Sequence, residues 1–454
     1  VEGWDEFDGN SPHRPWIDKV KIKHPDTGLI GTRIPDVGNP WLDAGIVPFS
    51  TLNYNQDKDY WDKWFPADFV VECFPGQFRN WFYSLLAMST MMENKAPFKT
   101  LLGHALVKDE TGRDMHKSWG NAIWFDDAAE KMGVDVMRWL YASQNPERNL
   151  FFGYSIADDV RKKIITLWNT YSFFVTYANL DGYKPNEDYD VGESLTKLDR
   201  WLLSKTELFS IKANDLYKDF KVYLLMDEAS VFLDELSNWY VRRNRRRFWK
   251  SENDNDKNAA YYTLHTALVK YLKIISPVAP FITDYMYQNL ANTSDSIHLS
   301  SYPKGNKDMV DSDLIDEMNT LLEVISLGRS ARNKANIKIR QPLSTLLVCA
   351  PSGKFEKYLL ENQEDILEEL NVKKINFVKN ADDLVLTNIK PDFQVLGEKY
   401  GKDMKTALSV INKADKQDLL DIIINKKTDS DIGNGIIVSY QDFILEEVAR
   451  KGLE

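Results

Sequence analysis

Cysteine is almost missing from this sequence: its 454 residues contain two, Cys73 and Cys349, far apart and outside any CxxC or Cys/His spacing. That excludes a disulfide framework and leaves no readable zinc site, so no metal ligands are assigned and a reducing cytoplasm is the expected compartment. No run approaches the eighteen or so apolar residues of a membrane span, and no basic segment followed by an apolar one opens the chain, so a membrane partner is not expected. Positive charge is also in deficit. The 57 Lys and Arg stand against 68 Asp and Glu for a net charge of -11, which excludes a protein that coats nucleic acid by general phosphate neutralisation; any such contact must be local. There is no repeat of fixed period and no low-complexity tract.

What is present is material for several cores. The chain has 13 Trp, 21 Tyr and 22 Phe, with 43% hydrophobic and 28% charged residues, and its length predicts two to four domains. From residue 1 to about 150, short apolar runs alternate with Gly and Pro: Phe69-Val70-Val71, a helical segment from Phe78 to Met92, then Leu101 through Val107. Strand, helix, strand in that order predicts a parallel α/β unit. From 151 to 310 the apolar spacing becomes helical, as in Val160, Ile164, Trp168, Tyr171 and Val175, or Leu225, Ala229, Phe232, Leu236 and Trp239. Breaks at Asp181 to Pro185, at Glu252 to Asn258 and at Pro277 and Pro280 divide this region into a bundle of about five helices. Residues 311 to 454 read as a small α+β unit, with a helix from Leu314 to Asn333 and strands at Leu343 to Val348, Ile375 to Val378 and Leu384 to Leu386. The chain opens at Val1 without Met and stops directly after an amphipathic segment, so both ends are expected to be cut.

Two segments carry chemistry. The first runs from His104 to Asn121. Asp109-Glu110-Thr111-Gly112 is turn chemistry at the end of an apolar strand, and the polar run Met115-His116-Lys117-Ser118 ends at Gly120-Asn121 before a helix that starts at Asp126. A lysine on such a loop, beside the C-terminal edge of a parallel sheet, can follow a triphosphate as charge moves onto the leaving pyrophosphate, with Ser118 as a neutral donor. A solvated polar turn is the plainer reading of four residues taken alone. The second segment holds Arg242, Arg243, Arg245, Arg246, Arg247 and Lys250, six cations within nine residues, interleaved with aromatics. Such a face can bind phosphates and stack on unpaired bases. Arginines at a helix end can equally cap carbonyls and pair with neighbouring acids.

Met115-His116-Lys117-Ser118 with Gly120-Asn121 resembles the second signature loop of class I aminoacyl-tRNA synthetases, written KMSKS. Upstream, His13-Arg14-Pro15-Trp16, Trp41 to Gly45, Pro48-Phe49 and Phe65 to Asp68 are similar to the part of isoleucyl enzymes that follows their editing insertion. Glu72-Cys-Phe-Pro-Gly-Gln-Phe-Arg-Asn-Trp-Phe-Tyr83 resembles their adenylate-binding segment. Downstream, the Arg cluster with Pro280 to Asp284 is similar to the anticodon-binding domain of isoleucyl and valyl enzymes, and Leu327 to Leu343, Glu369 to Lys373 and Lys390 to Gly397 resemble the eukaryotic and archaeal isoleucyl type. Two residues depart from the loop pattern: Asp114 stands where a lysine is usual and His116 where a serine is usual. Gly76 and Asn80 depart from the adenylate segment.

The resemblance implies a multidomain fold: the second half of a Rossmann-type α/β catalytic domain (1–150), an all-α anticodon-binding bundle (151–310) and an α+β appendage (311–454). It implies Lys117 and Ser118 as catalytic residues, with Met115, His116 and His104 beside them on ATP, which carries Mg2+. Glu72, Gln77 and Trp81 would hold isoleucyl-adenylate, Trp81 as an apolar wall, and the six cations from Arg242 to Lys250 would meet tRNA(Ile). None of the six histidines stands in a His-x-Gly-His pattern, the family's first ATP signature, so a C-terminal fragment of a monomeric isoleucine-tRNA ligase is expected, inactive in adenylation by itself. The alternatives are a non-catalytic tRNA-binding paralogue and a valyl-type fragment.

Overall fold

Residues 1–11, 13–36, 38–185, 192–249, 254–350, 352–379 and 385–449 are described by the computed structural model. They fall into two units, Val1–Lys307 and Asp308–Glu454.

The first unit opens with a short helix α1 (Trp4–Phe7) and an exposed antiparallel hairpin of β1 (Lys21–Lys23) and β2 (Ile30–Thr32). Three short helices follow, α2 (Pro40–Gly45), α3 (Val47–Ser50) and α4 (Lys58–Trp64). Asn39 caps α2 by accepting from the Trp41 and Leu42 amides, with Pro40 preset for the first helical position. Phe49, Trp61 and Phe65 bury one another beneath them. Next come β3 (Ala67–Cys73), α5 (Phe74–Gln77), α6 (Trp81–Glu93) and β4 (Phe98–His104), and β4 lies parallel to β3 with His104 opposite Cys73. This is the strand, helix, strand order read from the apolar runs. Gly45 lets α2 lie on α6, because a Cβ there would sit 2.7 Å from the Ser84 carbonyl oxygen.

The single run expected over Leu101 to Val107 divides in two. The Ala105 amide donates to the Pro146 carbonyl (2.8 Å) and the Leu106 amide to Asn149 Oδ1 (3.3 Å), so the ladder leaves β4 at His104. It resumes as β5 (Val107–Asp109), which pairs in parallel with β6 (Leu150–Phe152) across α7 (Phe125–Met132) and α8 (Val134–Ala142). Two parallel strand pairs therefore replace one continuous expected sheet among the described residues.

The helical region contains α9 (Tyr154–Asp181), α10 (Lys197–Lys218), α11 (Val222–Glu235), α12 (Arg242–Trp249), α13 (Asp254–Ile275) and α14 (Pro280–Leu290). Leu236–Val241 joins α11 to α12 through a wider π-helical turn, so the two run as one interrupted helix. Leu225, Ala229, Phe232, Leu236 and Trp239 are all buried, as their spacing predicts. On α9 the buried stripe passes through Val160, Leu167, Tyr171 and Phe174 instead of Trp168. Trp168 is 41% exposed and stacks on Tyr285 of α14, ring centroids 6.0 Å apart.

The second unit begins with α15 (Ser312–Lys334). A parallel pair of β7 (Leu346–Cys349) and β8 (Ile375–Val378) is bridged by α16 (Gly353–Glu361) and α17 (Gln363–Leu370). β9 (Val385–Pro391) then pairs antiparallel with β12 (Phe443–Ala449) around α18 (Phe393–Tyr400), α19 (Met404–Ile411), α20 (Lys416–Ile424) and a small hairpin of β10 (Ser430–Asp431) and β11 (Ile437–Val438). Leu396, Ala407, Ile411, Leu419, Ile422, Val438 and Phe443 form its core. The expected strand start at Leu384 lies outside the described residues. Arg332 is buried without a carboxylate hydrogen-bond partner among the described residues, its guanidinium donating to the carbonyl oxygens of Lys338, Gln341, Leu370 and Asn371.

Candidate functional site

The loop that follows β5 is built around Asp109. Its Oδ1 accepts from the Thr111 amide (2.9 Å), the Thr111 hydroxyl (2.7 Å) and the Arg113 amide (2.9 Å), while Oδ2 accepts from Asn121 Nδ2 (2.9 Å). Asn121 closes the far end of the loop, donating also to the Asp114 carbonyl (2.8 Å) and accepting from the His116 amide through Oδ1 (3.0 Å). The Asn121 amide first, then the Arg113 and Thr111 donors, hold the Asp109 carboxyl far below the usual carboxylate range. Gly112 (φ 87°) and Gly120 (φ 72°) are both left-handed and flank the polar run.

The loop's carboxylates are committed. Asp114 pairs with Lys108 of β5, which holds its carboxyl below the usual range. Glu110 accepts from the Ser155 amide (3.1 Å) and hydroxyl (2.7 Å) at the first turn of α9. Gly153 makes room for that contact, since a Cβ there would meet the Glu110 side chain. Lys117 is left without a carboxylate among the described residues. Its ammonium lies 4.4 Å from the ring centre of Trp124, and the His116 ring meets Trp119 edge to face at 4.2 Å. His116, Lys117 and Ser118 are exposed and Met115 is half-buried. Lys117 thus stands on an exposed loop at the C-terminal end of a parallel strand pair. Asp114 costs the loop a cation directly and also takes up the charge of Lys108.

Glu72, Gln77, Trp81 and His104 gather at the C-terminal end of β3 and β4. Glu72 is opposite Gly103 and accepts from the Cys73 amide (2.8 Å). Gln77 accepts from the Trp81 amide (3.2 Å), capping α6, and Trp81 Nε1 donates to the Ala44 carbonyl (3.3 Å). The indole therefore ties α6 to α2 and remains half-buried. His104 Nδ1 donates to the Ala105 carbonyl (2.7 Å). An open hollow of about 440 Å³ lies against this end, lined by Phe74, Pro75, Gly76, Phe78, Arg79 and Asn80. No hydrogen bond or ion pair among the described residues joins this group to Lys117.

The basic cluster separates into two kinds of residue. Arg245 and Arg246 are exposed, with no ion pair among the described residues. Arg242 donates to the Asn238 carbonyl (2.8 Å), and Arg243 lies over the Trp239 ring at 5.1 Å. Arg247 turns inward: its Nη1 donates to both oxygens of the fully buried Asp199 at 2.9 Å, and its Nη2 pairs with Asp256. Burial opposes the charge on Arg247, but the hydrogen bonds and charge of Asp199 outweigh it and raise the guanidinium's pKa further. Tyr240 donates to the same carboxylate (2.5 Å), and Thr196 completes a capping box with it. Lys250 lies outside the described residues. From sequence, Asp109 was placed in the turn and Asn121 at the loop's end without a role for either, and Asp199 was passed over. Asp109 and Asn121 bracket the loop as a turn acid and a post-glycine amide, and Thr196-x-x-Asp199 before an apolar run is itself a helix-start pattern.

Two family models match the sequence: tRNA synthetases class I (I, L, M and V) over residues 10–152 and the anticodon-binding domain of tRNA ligase over 199–347. The chain carries a class I tRNA synthetase domain followed by an anticodon-binding domain. Among curated proteins it is similar to the isoleucine--tRNA ligase of Bacillus thuringiensis, 35% identical over 448 residues, which is 97% of this chain and 42% of that protein. It is likewise similar to the isoleucine--tRNA ligase of Treponema denticola, 34% identical over 460 residues with the same coverage. The chain thus spans less than half the length of these relatives. Among solved structures, Mycobacterium tuberculosis methionyl-tRNA synthetase with methionyl-adenylate aligns at TM-score 0.46 and 18% identity, over 64% of this chain and 58% of that one. A ternary complex of LeuRS, tRNA and LeuAMS from Agrobacterium radiobacter aligns at TM-score 0.48 and 15% identity, over 64% and 37%. No helix among the described residues is long and apolar enough to cross a membrane.

Proposed function

We propose that this chain supplies the nucleotide loop, the amino-acid wall and the anticodon-binding bundle of an isoleucine-tRNA ligase, a cytoplasmic and monomeric enzyme that activates isoleucine with ATP and esterifies tRNA(Ile). In this reading β3 to β6 with their helices are the second half of a Rossmann-type catalytic domain over 1–150. Residues 151–310 form the anticodon-binding domain and 311–454 the appendage. The observation that carries the reading is Lys117, a cation without a carboxylate on a loop at the C-terminal end of parallel strands.

The reaction joins the carboxylate oxygen of isoleucine to the α-phosphorus of ATP while the α–β bridging bond breaks, and negative charge accumulates on pyrophosphate. Lys117 Nζ meets that growing charge and Ser118 Oγ donates beside it, interactions that strengthen as the bond breaks. Met115, His116 and His104 complete the nucleotide side, and Glu72, Gln77 and Trp81 face the adenylate. Trp81, held by Ala44, gives isoleucine an apolar wall that discriminates by shape and dehydration. Mg2+ enters with ATP as part of the Mg-ATP substrate, and no residue of this chain is assigned to hold it. Arg242, Arg243, Arg245, Arg246 and Lys250 are the tRNA contacts of this reading. Arg247 acts on tRNA only by shaping the helix that carries them.

Isoleucine-dependent ATP–pyrophosphate exchange by the protein that carries this chain tests the proposal. Lys117→Ala should lower kcat by about 100-fold or more, the effect of losing one preorganised charge donor, with little change in the KM for isoleucine. Unchanged exchange would remove Lys117 from the reaction. If wild type shows no exchange and yet binds tRNA(Ile) in a salt-sensitive way, the non-catalytic tRNA-binding reading takes its place, the one that Asp114 favours.

A further inference from the structure

We propose that Trp124 is a positioning residue: its indole face holds the Lys117 ammonium at rest, and a bound polyphosphate must draw the lysine off that ring. This rests on the reading of Lys117 as the phosphate-facing cation. The three nearest carboxylates in sequence are engaged elsewhere, Asp109 by Asn121 and the turn amides, Glu110 by Ser155 and Asp114 by Lys108. An exposed ammonium with no carboxylate beside it is drawn to the negative face of an aromatic ring, and indole offers the strongest such face. Trp119, the other indole of the loop, is engaged edge to face by His116. Trp124 is therefore the ring available to Lys117, at 4.4 Å. The two sit on opposite sides of Gly120, whose left-handed φ of 72° reverses the chain between them.

Resting contact and phosphate contact exclude one another, because one ammonium cannot cover the ring and reach a phosphate beyond the loop. The contact thus lowers the apparent affinity for polyphosphate by the fraction of time the lysine spends at rest. An exposed cation–π pair corresponds to about a two- to fivefold population ratio. Removing the ring should tighten polyphosphate binding by one plus that ratio, about three- to sixfold, the reverse of what loss of a ligand contact does.

The chain labelled with 5-fluorotryptophan gives a direct readout by fluorine NMR, with Trp124→Phe assigning the resonance. Without ligand, Lys117→Met should shift the Trp124 signal. Addition of inorganic pyrophosphate to wild type should move that signal toward its position in Lys117→Met, and Trp124→Ala should bind pyrophosphate about three- to sixfold more tightly. Trp124 is 58% exposed, so its replacement leaves the core intact, and circular dichroism verifies this. A Trp124 signal indifferent to Lys117→Met overturns the resting contact alone, and weaker pyrophosphate binding by Trp124→Ala overturns the competition. If pyrophosphate does not bind wild type while the ligand-free shift is present, it is the phosphate role of Lys117 that falls.

Discussion

Arg247 sits in the most basic segment of the chain, yet its removal should be felt in folding and not directly in RNA binding. Its Nη1 donates to both oxygens of Asp199, which is fully buried, and the Arg247 side chain retains only 13% of its exposure. Arg247→Met keeps most of the stem and deletes the charge. What remains is a carboxylate in the bundle interior with the Tyr240 hydroxyl and Thr196 as donors but without its cation. Breaking one side of a buried pair costs about 3–5 kcal/mol, whereas the pair as a whole is worth far less than its Coulomb attraction suggests. Urea unfolding followed at 222 nm should show this loss in the helical transition. Arg245→Ala and Arg246→Ala, measured alongside, should stay within about 0.5 kcal/mol of wild type. In a filter-binding titration with tRNA(Ile), each of those two should lower affinity and reduce the salt slope by about 1. An Arg247→Met chain that unfolds with wild type but binds tRNA as poorly as Arg246→Ala would put Arg247 back on the surface as a direct RNA contact.

Asn121→Ala removes the clasp that joins Asp109, the Asp114 carbonyl and the His116 amide, and hydrogen exchange at residues 115–118 should accelerate while the amides of α9 stay protected; unchanged exchange would mean that the glycines alone hold the loop. Arg332→Lys in the second unit cannot reach all four carbonyls, so at least one buried acceptor is orphaned and thermal unfolding of that unit should register a loss of about 1–3 kcal/mol. Burial holds the His265 pKa below its ordinary value, against the opposing hydrogen bond to the Leu290 carbonyl. The unfolded chain therefore takes up a proton first as pH falls through about 6.5, and stability declines from there toward the folded pKa with a slope of at most about 1.4 kcal/mol per pH unit. His265→Gln should flatten that part of a stability–pH curve, and an unaltered slope would exclude this histidine as its source.

The apolar runs made the larger elements legible. Alternation of strand-like runs with one helical segment locates β3, α6 and β4, because each element's period is written in consecutive residues. The division of β4 from β5 was not legible, since it depends on a carbonyl and an amide supplied by Pro146 and Asn149, some forty residues along the chain. The inward turn of Arg247 was not legible for a related reason. Counting cations treats a helix as a list, but Tyr240, Asn244, Arg247 and Phe248 follow the inward spacing, and they face the core however polar they are. Lys117 was conspicuous by its neighbours in sequence, while its ring partner was not, since nothing in residues 115–124 specifies which of two tryptophans the lysine meets.

Helix α9 connects distant parts of the first unit. Glu110 hooks its first turn beside the loop of Lys117, and at its last residue Asp181 accepts from Tyr261 and pairs with Lys257, one residue from the Asp256 that grips Arg247. Its 28 residues make a rod of about 42 Å at the standard rise. Such a rod works as a ruler: under the proposed function it sets how far apart the Lys117 loop and the basic surface stand, so an RNA that touched both would itself have to bridge that gauge, and shorter molecules could engage one end only.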